Sequence, residues 1–321
     1  MQIKRQFDHV TLCSPSGALL DEGKLDQAIH ALNRYELPIV EQPNTRSRHQ
    51  RFAGSDADRI QALNMACGLS QASLILATRG GYGLTRLMDQ LDFSRLAHHL
   101  NRYQHLLCGH SDLTGLQLAL LKAGAKPNTL LHGPMACFDF GGCESPHEHT
   151  LEHFELAAFE GRVRLDWSSN TTLNGLNANP TLTLAGPAWG GNLALVCSLL
   201  GTPWQPTIKN GILILEDINE APYKLERMLL QLHQSGILKE QAAVVLGQFG
   251  TELLCDHDNG YNLSEVVQTL QSKLSTPVLT GFPFGHVTPK ACWFQGGAAR
   301  LSIQEADGHT QCHFEQTVTF D

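Results

Sequence analysis

At 321 residues, 42% hydrophobic and 17% charged, the chain has the composition of a soluble globular protein with room for about two domains. A net charge of −8 with scattered Lys and Arg argues against a nucleic-acid partner, and no run approaches the ~20 apolar residues of a membrane span. Nine cysteines with no C-x-x-C pair read as reduced, mostly buried thiols, and the segment MQIKRQFDHVTLC has no signal-like apolar core, so a cytoplasmic setting is expected.

In chain order, His9–Cys13 reads as a buried strand closed by Ser14-Pro15-Ser16-Gly17. Leu25, Ile29, Leu32 and Leu37 follow at helical spacing, then a short strand over residues 38–41. Residues 52–56 form a loop into a helix over 57–67, with Ser55 or Asp56 as its cap. Residues 73–78 are a strand running into the loop Arg79-Gly80-Gly81-Tyr82-Gly83. A strand over 106–108 breaks at Gly109, polar His110-Ser111-Asp112 follows, and Leu113, Leu116, Leu120 and Leu121 mark a helix. The sheet continues through residues 129–135. Such alternation predicts an α/β domain with a parallel sheet, whose strand-end loops build any site.

The pattern weakens over 140–180, which divides the chain into residues 1–140, a linker region 141–180 and residues 181–321. His149 and His153, four apart among Glu148 and Glu152, could share a helix face around a metal, but no third ligand is apparent and a solvated polar helix is the simpler reading. No metal is expected. Further on, residues 181–184 and the block 186–191 precede a helix over 192–200. A strand over 211–215 stops at Glu216-Asp217-Ile218-Asn219-Glu220, an apolar stripe of Leu225, Met228, Leu229 and Leu232 marks a helix, and residues 243–247 are another strand. Residues 256–260 imitate a calcium loop only superficially, because the glycine and terminal glutamate are out of register. Residues 277–279 run into Gly281-Phe282-Pro283-Phe284-Gly285-His286, where the histidine would be stiffly held and exposed. Residues 298–303 and 312–320 alternate as strands and predict an antiparallel edge.

A serine on a strand–turn–helix corner sits where free backbone N–H groups and the helix dipole favour negative charge, which is the principle of a nucleophile elbow. Ser111 matches G-x-S-x-G only in part, since Asp112 and Leu113 follow it, and a simple capping role for Ser111 or Asp112 stands beside that reading. The glycine loop at 79–83 either brings N–H groups to a substrate oxygen or is a tight turn at positive φ. Ser111, Glu216 and His286 all stand at strand ends, in the order serine, acid, histidine. A histidine could take the hydroxyl proton and a carboxylate could orient the imidazole. Order alone does not bring them together.

A series of blocks in one order resembles the LD-carboxypeptidase family, serine peptidases of peptidoglycan recycling with microcin-immunity relatives. These are Ser14-Pro15-Ser16, Ala53-Gly54-Ser55-Asp56, Arg79-Gly80-Gly81-Tyr82-Gly83, Gly109-His110-Ser111-Asp112, His132-Gly133-Pro134-Met135, Gly190-Gly191-Asn192-Leu193, Leu215-Glu216-Asp217, Gly247-Gln248-Phe249 and the 281–286 block. The resemblance implies a flavodoxin-like N-terminal domain, a β-rich C-terminal α+β domain and a site in the cleft between them. It implies Ser111 as nucleophile, His286 as general acid and base, and Glu216 as orienting acid, with Asp217 and Glu220 as rivals. The backbone N–H groups of Asp112 and of Gly81, or its neighbour Gly80, would form the oxyanion hole. Arg79 would hold a substrate carboxylate or form a structural salt bridge. Trp189, Gly190 and Gly191 would line the cleft, with a core tryptophan as the plain alternative. The implied enzyme is a cytoplasmic, cofactor-free, homodimeric muramoyltetrapeptide carboxypeptidase acting on muropeptides. A microcin-immunity hydrolase of peptide-nucleotide amides and a non-catalytic muropeptide-binding protein are the alternatives. The chain departs from the expected proline-glycine turn after the histidine block, with Phe294-Gln295-Gly296-Gly297 there instead.

Overall fold

The computed structural model describes residues 5–142, 145–171, 181–250, 253–306 and 309–320. Its first sheet is built from β1 (His9–Cys13), β2 (Ile39–Glu41), β3 (Ser73–Ala77), β4 (Leu106–Gly109) and β5 (Leu130–His132). They are all parallel, in the order β2-β1-β3-β4-β5 that defines a flavodoxin-like sheet. Parallel strands joined by helices are covered on both faces, which is why β1, β3 and β4 are largely apolar and buried throughout. The crossovers are α1 (Glu22–Leu32), α2 (Asp56–Cys67), α3 (Phe93–Arg102) and α4 (Leu113–Lys122). Ser55 caps α2 in a reciprocal capping box with Asp58, satisfying two end donors at once. Helix α3 escapes sequence reading because its stripe of Phe93, Leu96, Ala97 and Leu100 is short and interleaved with histidines.

The span 141–180 contains ordered elements. Helix α5 (Glu148–Glu160) carries His149 paired with Glu152 on an exposed face, and β6 (Arg162–Ser169) alternates exposed and buried residues along its length. The polar run 172–180 lies outside the described residues. After β7 (Thr181–Asn192) come α6 (Leu193–Ser198), β8 (Ile212–Glu216), α7 (Pro222–Gln234), β9 (Ala243–Leu246), α8 (Leu263–Lys273), β10 (Val278–Leu279), β11 (Trp293–Phe294), β12 (Ala298–Ala306) and β13 (His309–Thr317). The second sheet runs β10-β9-β8-β7-β12-β13-β6. Its β7 is a seam. Residues 181–187 pair antiparallel with β12, while residues 188–192 pair parallel with β8.

Two expectations change. The β12–β13 pair lies inside the antiparallel half, and β6 takes the edge, because the alternation of β6 matches the solvent-and-core pleat of β13. The first sheet also receives β11 from the C-terminal half, antiparallel to β5. The two sheets therefore share structure. Helix α4 packs on α6 and β7, and Leu113, Leu116, Leu193, Val196, Leu213 and Leu215 fall in one buried cluster.

Candidate active site

The corner between β4 and α4 is strained where chemistry would need it. Ser111 has φ +62°, a left-handed conformation that non-glycine residues enter at a cost, so the surrounding fold must hold it there. Gly109 makes the corner possible: a Cβ on it would lie 2.7 Å from Leu113 Cδ2 and 3.1 Å from Ala77 Cβ. Neither Ser111 nor Asp112 caps α4 with its side chain. Instead the buried Asp112 carboxylate accepts from Ser16 Oγ and from the Leu84 N–H at 2.9 Å, tying the loops after β1 and β3 to the elbow. Arg59 reinforces the same junction by donating to the carbonyls of Pro15 (3.1 Å) and Gly83 (2.9 Å). Gly80 then sits so close that a Cβ on it would lie 2.8 Å from Ser111 Oγ and 3.5 Å from the Asp112 nitrogen. Gly81, at φ +110°, packs beside Gly17.

Glu216 and His286 reach this corner from the second sheet. Gly191 lets that sheet approach, because a Cβ there would lie 2.4 Å from His132 Nε2 and 2.6 Å from Thr114 Oγ1. The Asn192 N–H donates to Thr114 Oγ1, 3.0 Å away in the first turn of α4, and Asn192 is in register with Glu216 on β8. Seam and elbow are thus locked together, with Glu216 fully buried at the strand end. His286 is displayed by two buried anchors. Phe282 and Phe284 bracket Trp293, with ring centroids at 5.9 and 4.3 Å, and the Gln248 N–H donates to the Phe284 carbonyl at 2.8 Å. In consequence His286 Nε2 lies 3.0 Å from Ser111 Oγ and His286 Nδ1 lies 2.9 Å from Glu216 Oε2.

The rival acids are engaged elsewhere. Asp217 accepts from Asn192 Nδ2 and from the backbone of Ala194 and Ile218, and burial pushes its carboxyl up to about 6. Glu220 pairs with Lys224. Burial also pushes the thiols of Cys13 and Cys137 up to about 12, so neither is poised as a thiolate nucleophile. A cavity of about 490 Å³ opens over the serine. Its wall includes Gly80, Gly81, Ser111 and His286, with Lys24, Arg51 and Arg79 around them. Arg79 Nη1 donates to the Ala18 carbonyl at 2.9 Å, and none of the three cations forms an ion pair among the described residues. Trp189 takes the core alternative, and Gly190 lies away from the cavity. The Trp189 side chain is buried in the core with its Nε1 donating to Gln241, and Gly190 pairs through its backbone with the Gln295 amide, so neither lines this cavity.

The LD-carboxypeptidase N-terminal domain pattern matches residues 10–131, and the LD-carboxypeptidase C-terminal domain pattern matches residues 185–301. The chain belongs to the LD-carboxypeptidase family. The crystal structure of a muramoyltetrapeptide carboxypeptidase from Oxalobacter formigenes is similar to it at 37% identity and a TM-score of 0.82, over 97% of this chain and 100% of that one. The murein tetrapeptide carboxypeptidase of Pseudomonas aeruginosa is 26% identical over 295 residues, 91% of this chain and 92% of its own. The microcin C7 self immunity protein MccF, solved with aspartyl sulfamoyl adenosine, shares the fold at 19% identity and a TM-score of 0.79, over 99% and 98% of the two chains.

Within this LD-carboxypeptidase frame, sequence reading quotes Ser16 and His110 only as members of blocks and misses Arg59, Thr114, Asp139 and Lys290 around the line of three. His110, Asp139 and Lys290 form a buried cluster beside His286, and Ser16, Arg59 and Thr114 brace the elbow. A weak signal existed for the first group. Asp139 stands between Phe138 and Phe140, and Lys290 precedes Ala291, Cys292 and Trp293, so each is a lone charge in an apolar run.

Proposed function

We propose that the chain is a cytoplasmic serine LD-carboxypeptidase, a homodimer as the family resemblance implies, that hydrolyses the amide between meso-diaminopimelate and the terminal D-alanine of muropeptide tetrapeptides. The observation that carries this reading is the continuous line Glu216–His286–Ser111 at the floor of a cavity walled by Lys24, Arg51 and Arg79. A tetrapeptide bears a free carboxylate on each of its glutamyl, diaminopimelyl and alanyl residues. Cations that form no ion pair among the described residues suit them.

In this mechanism His286 Nε2 takes the Ser111 hydroxyl proton as Oγ attacks the carbonyl, while Glu216 holds Nδ1–H and fixes the tautomer. The space that a Gly80 Cβ would fill, within reach of Ser111 Oγ and the Asp112 nitrogen, is where the developing oxyanion would sit, served by the Asp112 N–H and that of Gly81 or Gly80. His286 then protonates the departing D-alanine amine and activates water to release the acyl group from Ser111. No cofactor enters the scheme.

The test compares kcat/KM for L-Ala-γ-D-Glu-meso-diaminopimelate-D-Ala with that for the same peptide ending in D-alaninamide. The acid should be preferred by about tenfold or more, and Arg79→Met should erase the preference. Equal rates on both peptides would remove the carboxypeptidase reading. A second reading, hydrolysis of peptide-nucleotide amides, is favoured by Phe138, an exposed aromatic on the cavity wall that could stack on a base. Cleavage of aspartyl sulfamoyl adenosine in place of the tetrapeptide would select it.

A further inference from the structure

Beside the catalytic line lies a charge cluster that the line does not use. Lys290 Nζ is 3.0 Å from Asp139 Oδ1 and 3.1 Å from Oδ2, and both side chains are essentially inaccessible to solvent. The same ammonium is 3.0 Å from His110 Nε2, while His110 Nδ1 is 2.8 Å from the Gly133 carbonyl. A carbonyl only accepts, so Nδ1 carries the proton and Nε2 accepts from Lys290. The His110 ring meets the His286 ring edge-on at 5.1 Å, and Phe138 covers the ammonium at 4.5 Å.

Burying an ammonium and a carboxylate costs desolvation, and apolar residues of like volume often stabilise a fold as well or better. The placement of this pair points to a role beyond packing. The buried titratable groups around His286 are Glu216, His110, His132, Asp139 and Lys290, while Asp21, Lys24, Arg51 and Arg79 face it only across the open cavity, where solvent screens them. Burial, then the Lys290 charge, holds His110 neutral, and burial pushes His132 down to about 3. Glu216 is fully buried, and its second oxygen meets no hydrogen-bond donor among the described residues. Two carboxylates and one ammonium therefore leave the cluster one negative charge in excess. Protonation of His286 cancels it.

We propose that the Lys290–Asp139 pair, relayed through His110, is a positioning element that sets the charge balance around His286, so that the buried cluster becomes neutral when His286 takes the Ser111 proton. This rests on the reading of Ser111 and His286 as nucleophile and base. The expected signature is a pair of opposite responses. Asp139→Asn leaves the cation uncompensated, opposes the imidazolium and moves the acid limb of reactivity to lower pH. Lys290→Met leaves the anion, favours the imidazolium and moves the limb to higher pH. For one charge at this range in a protein interior, each displacement should be about 0.5 pH unit or more, roughly a threefold change in rate on the limb.

The experiment follows the rate at which an alkyl fluorophosphonate labels Ser111 as a function of pH, read by intact-protein mass spectrometry. In that step the Ser111 Oγ–P bond forms, the P–F bond breaks, fluoride leaves and the hydroxyl proton passes to His286, so no peptide substrate is needed. Opposite displacements in the two single variants, with a return toward wild type in the Asp139→Asn/Lys290→Met double variant, support the proposal. Displacements of the same sign, or none above about 0.2 unit, overturn it. Each single variant carries its own sign, so one that folds decides the matter, and Lys290→Arg, which keeps the charge, should stay close to wild type. Absence of labelling in the wild type would instead refute the nucleophile reading itself. Labelling with unmoved limbs would refute only the role of the pair.

Discussion

Ser111 and its two partners are held in different ways. The serine belongs to a local frame: Gly109 permits the corner, and Asp112 and Arg59 fasten the neighbouring loops of the same parallel sheet around it. Glu216 and His286 arrive from a second sheet, across a seam made by Gly191, Asn192, His132 and Thr114. One half of the site is thus built by the chain near it, and the other by docking. Damage to the frame should abolish chemistry and spare stability, whereas damage to the seam should harm both.

The largest contrast comes from two glycines. Gly80→Ala places a methyl 2.8 Å from both Cβ and Oγ of Ser111, in the space assigned to the oxyanion, and should lower kcat by about 10²–10³-fold with a smaller loss of Tm than the seam variant. Gly191→Ala places its methyl 2.4 Å from His132 Nε2 at φ +124°, and should cost about 2–4 kcal/mol of stability together with activity. Thermal melts and steady-state rates on the two variants separate the regions. Equal stability losses would erase the distinction.

A smaller effect concerns pH. His105 is buried with Nδ1 accepting from the Ser73 N–H and Nε2 facing the Leu69 carbonyl, and burial pushes it down to about 4. His132, at the seam, is pushed down to about 3. The unfolded chain takes up these protons below the ordinary value of 6.5, while the folded chain refuses them until about 4 and 3. Stability is therefore fully present above about pH 6.5 and falls as pH drops toward 4. Asp217, raised to about 6, works in the opposite sense between pH 6 and 4 but with a smaller shift. Urea unfolding at pH 7 and pH 4.5 should show a net loss of stability at the lower pH. An unchanged midpoint would contradict the neutral state of these histidines.

The same contrast explains what could be read from the sequence. The elbow was legible because strand, glycine, serine and helix are contiguous, and the apolar runs of β1, β3 and β4 announce a parallel sheet. The family blocks carried the order of Ser111, Glu216 and His286, but no spacing could show that β7 changes partner at residue 188 and brings β8 to α4. For Trp189, beside Gly190 and Gly191, the sequence leaves a cleft role and a core role equally open. Those glycines serve close sheet packing instead, and the indole is core. Lys290 and Asp139 stayed hidden because a buried ion pair needs tertiary partners 151 residues apart, which one sequence does not display.

The most direct test of the account is the release of D-alanine from purified L-Ala-γ-D-Glu-meso-diaminopimelate-D-Ala by the wild type and by Ser111→Ala. Prompt release by the wild type, falling by at least about 10⁴-fold in a Ser111→Ala protein of unchanged Tm, is the predicted result. Release that persists in Ser111→Ala would contradict the serine mechanism, and no release by the folded wild type would contradict the substrate.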